Sequence, residues 1–569
     1  MSSRVLMIGL DGATFDLIDP WVSDGGSHGA SRSSLPHLAR LMGSGAWGRL
    51  RSTVPPATFP AWTSLMTGVN PGRHGVFDFT RRVPGTYRIE FINATHRLQS
   101  TIWQLLSQCD QRVAVIGMPA TYPPEAVNGV CISGFDSPVA TGIDRSFVHP
   151  PELYDEIREA VGPYEITDFQ ETQIGPAWHE NAQRKMLHAL SRRTAIASYL
   201  LDRESWDCFF VHYGESDTVA HHFWAFHDSD SPRYKEQEAE HWGRAIQTIY
   251  QALDKAIGQL LRDAGPGATV LIVSDHGSGG AGQHVIHLNR WLATHGWLSF
   301  APRSAVERAA TGVKRVGLAL PSQLQEFAFR GPLRRAVSGL ESSARLGGID
   351  WQGTQAFSEE VNTFPAIWLN VKGRDPGGTV EPGDCYEALR EEILAGLMSW
   401  QNPATGQMIA HRAWRREELY EGDAVEYAPD IVVEPALDQG FSYTFLSSDG
   451  RAGPALRTLT ESERLGAKGG SMNGSHRPDG ILLLSGAGVR AAVRLAGCHI
   501  TDVAPTLLQL LGTPLPEGLD GRVLSEALLD GDRTTTFTPA GNLDLPPEPY
   551  TDEQAERLGR RLRGLGYRP

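Results

Sequence analysis

The chain has few cysteines, no long apolar run and no surplus of basic charge, and each absence removes a class of protein. Its five cysteines, Cys109, Cys131, Cys208, Cys385 and Cys498, form no CxxC pair. Neither a disulfide framework nor a thiolate zinc site is therefore expected, and a reducing, cytoplasmic compartment fits. No uninterrupted apolar segment approaches the roughly 20 residues needed to span a bilayer, so no membrane role is expected. The first apolar run, VLMIGL, ends in Asp11 rather than at a small-residue cleavage site, and it reads as a strand. A formal net charge of -14 argues against general affinity for nucleic acid polymers or anionic membranes.

What is present is an ordinary globular composition, 41% hydrophobic and 21% charged, able to bury a sizeable core. Compact apolar runs of strand length occur at RVLMIGL, RVAVIGM, DCFFVHY, TVLIVS and GILLLS, with the flanks of buried parallel strands. Helical spacing separates them in LPHLARLMGSGA, in 182–202 and in 242–264. This alternation predicts an α/β fold, a mostly parallel sheet with helices on both faces. The expected core is 1–300 and 466–530, with an elaboration at about 80–200. Residues 301–465 change texture, with a basic helix at GPLRRAVSGLESSARLGG and another at CYEALREEILAGLMSW, and read as an inserted cap. Residues 531–569 read as a proline-rich linker and a polar helix.

Six ligand-type residues and one threonine carry the chemistry. Asp11 in IGLDG, Asp217 in ESDTVAHH and Asp275 in IVSDHG all follow expected strands, where open α/β sheets build their sites. Asp217 and His221 are four apart and share one helical face, which suits a metal ion, although an isolated DxxxH is more often a surface polar pair. Asp275 and His276 sit where a buried strand breaks at glycine, so both can turn toward one centre; a capped strand-end turn is the plainer alternative. His476 in GSHRPDG precedes its strand and is expected to arrive on a loop. Thr58, followed by Phe59 and Pro60, is expected at a helix amino terminus, either as an N-cap or facing a phosphate oxygen. Taken together they read as a dinuclear metal site around a hydroxyl nucleophile. Carboxylate and imidazole ligands without sulfur suit Zn2+ first, with Mn2+ or Fe possible.

The segments IGLDGATFD, PPATFPAWTSLMTGVNPGRHGVFDF, ESDTVAHHFW, LIVSDHG, GSHRPDGILLLSG and ITDVAPTLLQLLG, as an ordered set, resemble the alkaline phosphatase superfamily. The resemblance is closer to its type I phosphodiesterase/nucleotide pyrophosphatase branch and to related phosphohydrolases and phosphomutases. It implies a three-layer αβα sandwich with inserted cap regions. It also implies that Asp11, Thr58, Asp275 and His276 hold the ion that activates the nucleophile, while Asp217, His221 and His476 hold a second. Thr58 would form a covalent phosphothreonine during hydrolysis of a phosphodiester, a nucleotide or a small phosphomonoester. Transfer to another hydroxyl, as in a phosphomutase, and a non-catalytic metal-stabilised binding protein are the alternatives. Many nucleotide pyrophosphatases place a phosphate-holding asparagine just after the proline, where this chain has Ala61 and Trp62; the sulfatase Cys/Ser-x-Pro-x-Arg motif is missing. Phe59, Arg73 and His74 are candidate substrate contacts, Arg73 and His74 reading equally as a polar loop after a helix. His222, His284 and His287 are expected to be hydrogen-bonded structural histidines, and Trp62 and Trp224 to line the pocket or fill core.

Overall fold

A computed structural model describes residues 4–23, 33–134, 143–165, 174, 177–301, 346, 348–448, 450, 452–465, 471–529 and 536–537. Most of the expected basic helix at 331–348, and all of the polar helix beyond 550, lie outside the described residues. The strands used below are, in chain order, β1 (Arg4–Leu10), β2 (Ala46–Arg51), β3 (Val113–Ile116), β4 (Gly129–Ile132), β5 (Val148–His149), β6 (Cys208–Tyr213), β7 (Ala268–Val273) and β8 (Gly277–Ile286). They continue with β9 (Ala356–Phe357), β10 (Ala366–Leu369), β11 (Ala410–Arg415), β12 (Ile431–Pro435), β13 (Phe441–Phe445), β14 (Gly474–Arg477), β15 (Asp479–Ser485) and β16 (Val493–Arg494). The central sheet is ten-stranded and runs β16-β2-β15-β7-β1-β6-β3-β4-β5 along its main path.

β1 lies between β6 and β7, parallel to both, with Met7 opposite Phe210 and Leu271. Side chains alternate across a strand, so each central strand feeds two cores. Leu6, Ile8 and Leu10 point to one, with Phe209, Val211, Val270 and Ile272. Val5 and Met7 point to the other, with Phe210, Leu271 and Val273. The helices that cover these faces are α1 (Phe15–Ser23), α2 (Pro36–Ser44), α3 (Thr58–Thr67), α4 (Ile102–Gln108), α5 (Trp178–Arg203), α6 (Glu215–His227), α7 (Ala245–Ala264), α8 (Asp384–Ser399) and α9 (Val503–Leu511). Helices α1, α2, α5, α6 and α7 pack on the first face and α3, α4 and α9 on the second, while α8 belongs elsewhere. Burial on both faces is why these strands read as continuous apolar runs rather than as alternating ones.

Two expectations are corrected. GILLLS forms β15, but it runs antiparallel to β7 and β2. A strand buried on both faces has the same apolar texture in either direction; the connection decides, and β15 starts right after β14 at the sheet's ligand end. His476 is not on a loop: it lies in β14, which pairs antiparallel with β8 and sets His476 opposite Ser278. The pairing escapes strand propensity because β8 is GSGGAGQHVI, and glycine is depleted in strands unless another group must come close. Here it must, since a Cβ at Gly279 would stand 2.5 Å from the Arg477 guanidinium and one at Gly280 would stand 2.8 Å from Phe441 and Trp224.

Beyond β8 the chain builds a four-stranded sheet ordered β9-β10-β12-β11, packed with α8. It joins the core through Arg51 to Glu434 at 3.0 Å and the Tyr420 hydroxyl to the Val54 carbonyl at 2.7 Å. Strand β13 then returns to pair parallel with β8.

Candidate active site

The carboxyl ends of β1, β6 and β7 meet at one edge of the sheet. Asp11 follows β1 directly, Asp275 and His276 follow β7, and α6 starts two residues after β6. Glu215 and Asp217 stand in the first turn of α6, where the helix dipole favours negative charge. One turn on, His221 brings Nε2 to 3.2 Å from Asp217 Oδ1. Thr58 is the first residue of α3, after Ala57, and no side chain caps this turn. Its Oγ1 lies 3.5 Å from His276 Nε2, too long for a strong hydrogen bond.

Three imidazoles share one protonation pattern. Nδ1 of His276 faces the Gly277 carbonyl at 3.0 Å, Nδ1 of His221 the Gly474 carbonyl at 2.9 Å, and Nδ1 of His476 the Pro56 carbonyl at 2.7 Å. A carbonyl only accepts, so each Nδ1 holds the proton and each Nε2 offers a lone pair to the centre. His221 and His476 then present Nε2 atoms 3.1 Å apart with no proton to join them. Burial, and then His276 close by, push His476 well away from its protonated form. Asp11 Oδ1, Asp217 Oδ1 and Asp275 Oδ2 are buried and have no hydrogen-bond partner among the described residues. Burial, then the nearby Asp11, raise the Asp275 carboxyl well above the usual range.

Unpaired carboxylate oxygens facing unprotonated imidazole nitrogens call for cations between them. Among the described residues, two groups have donor atoms within 4.8 Å of one another: Asp11, Asp275 and His276, and Asp217, His276 and His476. His276 therefore stands between the two, and His221 flanks the second. The donor set fits divalent ions.

The backbone at Gly12 is part of the construction. Its φ is +64°, and its N–H reaches Asp275 Oδ1 at 3.2 Å. A Cβ there would meet Asp217 Oδ1 and Ser278 Oγ at 2.9 Å. Gly12→Ala is expected to cost about 1–2 kcal/mol for the left-handed conformation alone and to push Asp217 aside. A lower melting temperature together with lost metal uptake is the expected result, and a variant unchanged in both would contradict this reading of the turn.

The suggested substrate contacts are not gathered at the cluster. His74 is fully buried, with Nε2 at 2.9 Å from Ser64 Oγ and Nδ1 accepting from the Val76 N–H; burial, helped by Arg97, lowers it to about 3. Arg73 pairs with Asp520 at 2.9 Å and also reaches the Gly518 carbonyl. Phe59 packs on Phe79, ring centres 4.3 Å apart, in a small apolar cluster. Arg73 and His74 both belong to PGRH, a short helical turn whose side chains find partners inside the fold. His284 is bound to Asp438 at 2.5 Å, and His287 Nδ1 faces the Leu446 carbonyl at 2.9 Å. His222 is buried with its ring against Trp178, and the Trp224 indole donates to Asp228.

Sequence reasoning missed His212 and the polar role of Trp62. Asp11 Oδ2 accepts from the Trp62 indole at 3.1 Å and faces His212 Nε2 at 3.0 Å. The available signal was a histidine near the end of the apolar strand CFFVHY, beside the strand that delivers Asp11.

The fold and this cluster together define an αβα protein of the alkaline phosphatase-like type with a candidate metal-ligand cluster beside a threonine. The chain matches the family model for type I phosphodiesterase / nucleotide pyrophosphatase over residues 5–470, and it belongs to that family. His476 lies just past the matched stretch. Among curated proteins, a 2,3-bisphosphoglycerate-independent phosphoglycerate mutase of Salinibacter ruber is 30% identical over 142 residues, 25% of this chain and 24% of that protein. The match thus spans about a quarter of the curated relative. Among solved structures, human ectonucleotide pyrophosphatase / phosphodiesterase 5 is 12% identical, covering 93% of this chain and 100% of that one, with a TM-score of 0.48. Phosphonoacetate hydrolase from Sinorhizobium meliloti is 13% identical, covering 90% and 96%, also with a TM-score of 0.48. Among the described residues no helix is long and apolar enough to cross a membrane.

Proposed function

We propose that this protein is a metal-dependent phosphoester hydrolase that cleaves a small phosphodiester, nucleotide or phosphomonoester through a phosphothreonine at Thr58. The observation that carries the reading is the set of unpaired carboxylate oxygens and unprotonated Nε2 atoms gathered beside the Thr58 hydroxyl. Asp11, Asp275, His276 and Thr58 would hold one divalent ion and Asp217, His221 and His476 a second, zinc before manganese or iron. The chemistry such ions supply when bound is charge stabilisation on the attacking and departing oxygens.

The chain's own residues do the rest. The uncapped first turn of α3 receives a phosphate oxygen on its N–H groups. The Thr58 hydroxyl gives up its proton to solvent, Oγ1 attacks phosphorus in line and its bond to phosphorus forms, and the ester oxygen leaves with its electron pair and takes a proton from solvent. Water then attacks the same phosphorus from the opposite side and loses a proton, the Oγ1–phosphorus bond breaks, and the Thr58 oxygen takes up a proton as inorganic phosphate or a monoester leaves. The sheet β9-β10-β12-β11 with α8 would serve as the cap that selects the substrate. The five widely spaced cysteines, with no CxxC pair, support a cytoplasmic setting.

The test couples metal analysis to a panel of mono- and diesters. About two equivalents of metal and turnover lost on chelation are expected; full turnover in verified metal-free protein would contradict the reading. The mutase likeness over 142 residues favours a second outcome, transfer to another hydroxyl, and product analysis with an added acceptor alcohol separates the two.

A further inference from the structure

The two oxygens of Asp11 have opposite surroundings. Oδ2 lies between the Trp62 indole N–H and His212 Nε2, whereas Oδ1 has no hydrogen-bond partner among the described residues and sits 3.5 Å from His276 Nε2. An indole nitrogen only donates, and a carboxylate only accepts, so His212 carries its proton on Nε2. The two donors come from different elements. Trp62 is one turn along α3 from Thr58, and His212 stands near the end of β6, in register with Gly9 of β1. Their rings meet edge to face, centres 4.9 Å apart at 89°, and both are buried. Gly9 makes the room: a Cβ there would lie 2.6 Å from Trp62 Cη2 and 3.3 Å from His212 Cδ2.

We infer that Trp62 and His212, seated over Gly9, are positioning residues that clamp Asp11 Oδ2 so that Asp11 meets its cation through Oδ1 alone. The inference rests on the metal-dependent reading proposed above. Two donors on one oxygen fix the carboxylate's rotation and remove the two-oxygen binding mode. They also tie the metal ligand to the helix turn that carries Thr58. Outer partners of a metal ligand typically change affinity or activity about 10- to 100-fold when removed.

The test titrates metal-free protein with zinc against a chromogenic chelator. Trp62→Phe and His212→Phe keep a ring and lose the donor; each is expected to weaken one of the two zinc-binding steps about 10- to 100-fold and leave the other step as in the wild type. Excess zinc should then restore kcat, and His212→Gln, whose amide can donate in place of Nε2, should bind zinc close to wild type. Wild-type affinity for both ions in both ring-preserving variants overturns the inference. So does equal weakening of both steps with a lower melting temperature of the metal-free protein, which would mark a packing role. If Trp62→Phe does not fold, the His212 pair decides. A wild-type protein that takes up no zinc would instead sink the metal-dependent reading itself, before any variant is compared.

Discussion

Thr58→Ala is expected to lower turnover of any accepted phosphoester by about 10^4-fold or more, the scale on which removing a covalent nucleophile acts, with the fold retained. The hydroxyl is poorly placed to be structural. Thr58 is buried, yet its Oγ1 is 3.5 Å from His276 Nε2, a distance that contributes little hydrogen-bond energy. Helix α3 does not depend on it either, because Thr58 is the first helical residue and the helix is closed at its other end by the Gly68 N–H to the Ser64 carbonyl. The carboxylates and imidazoles remain in the variant, so metal content should stay near that of the wild type. Thr58→Ser keeps the oxygen and should retain far more activity than Thr58→Ala. Acid-quenched wild-type protein should carry phosphate on the peptide containing Thr58, and the alanine variant should not. Undiminished turnover in metal-replete Thr58→Ala protein would remove Thr58 from the mechanism.

The second large effect concerns stability and lies two residues from Asp217 of the candidate site. Arg193 of α5 makes a bidentate pair with Glu215, both of its bonds from Nη1 at 2.9 Å, and the two side chains are 8% and 2% exposed. Glu215 opens α6 two residues before Asp217. Breaking a buried pair by removing one partner leaves an uncompensated charge and costs about 3–5 kcal/mol. Arg193→Met should therefore lower the denaturation midpoint strongly and weaken metal uptake with it, because the start of α6 sets where Asp217 stands. Replacing both members, as Arg193→Met with Glu215→Leu, should recover much of the stability, since a buried pair exchanged for apolar groups of similar size is often neutral. A single variant as stable as the wild type would show that the pair is relaxed or hydrated.

How far the sequence is legible differs by element. The runs at 4–10, 113–116, 208–213 and 268–273 are strands, as expected, because burial on both faces leaves a continuous apolar signature that needs no knowledge of neighbours. β15 shows the limit of that signature, which carries no direction. β8 and β14 show another: GSGGAGQHVI has little strand propensity, and only the approach of Arg477, Phe441 and Trp224 to its bare backbone explains the glycines. Arg73 and His74 show a third, since polar residues in a helix-closing turn look alike in sequence whether they face a ligand or, like His74, the Ser64 hydroxyl.

By itself the sequence determined the αβα layering and the residue types of the candidate site. Asp11 and Asp275 close apolar runs, Asp217 and His221 share one face through i,i+4 spacing, and Thr58 precedes a helix-compatible run; all of this is local chemistry read along the chain. Only the tertiary structure decided which oxygens and nitrogens are open. Three carbonyls far apart in sequence, of Gly277, Gly474 and Pro56, accept from Nδ1 of His276, His221 and His476, and Trp62 and His212 converge on one oxygen of Asp11. The physical reason is that a side chain's polarity is written in its type, whereas its protonation and the direction of its lone pairs are imposed by partners that only folding brings within hydrogen-bond distance.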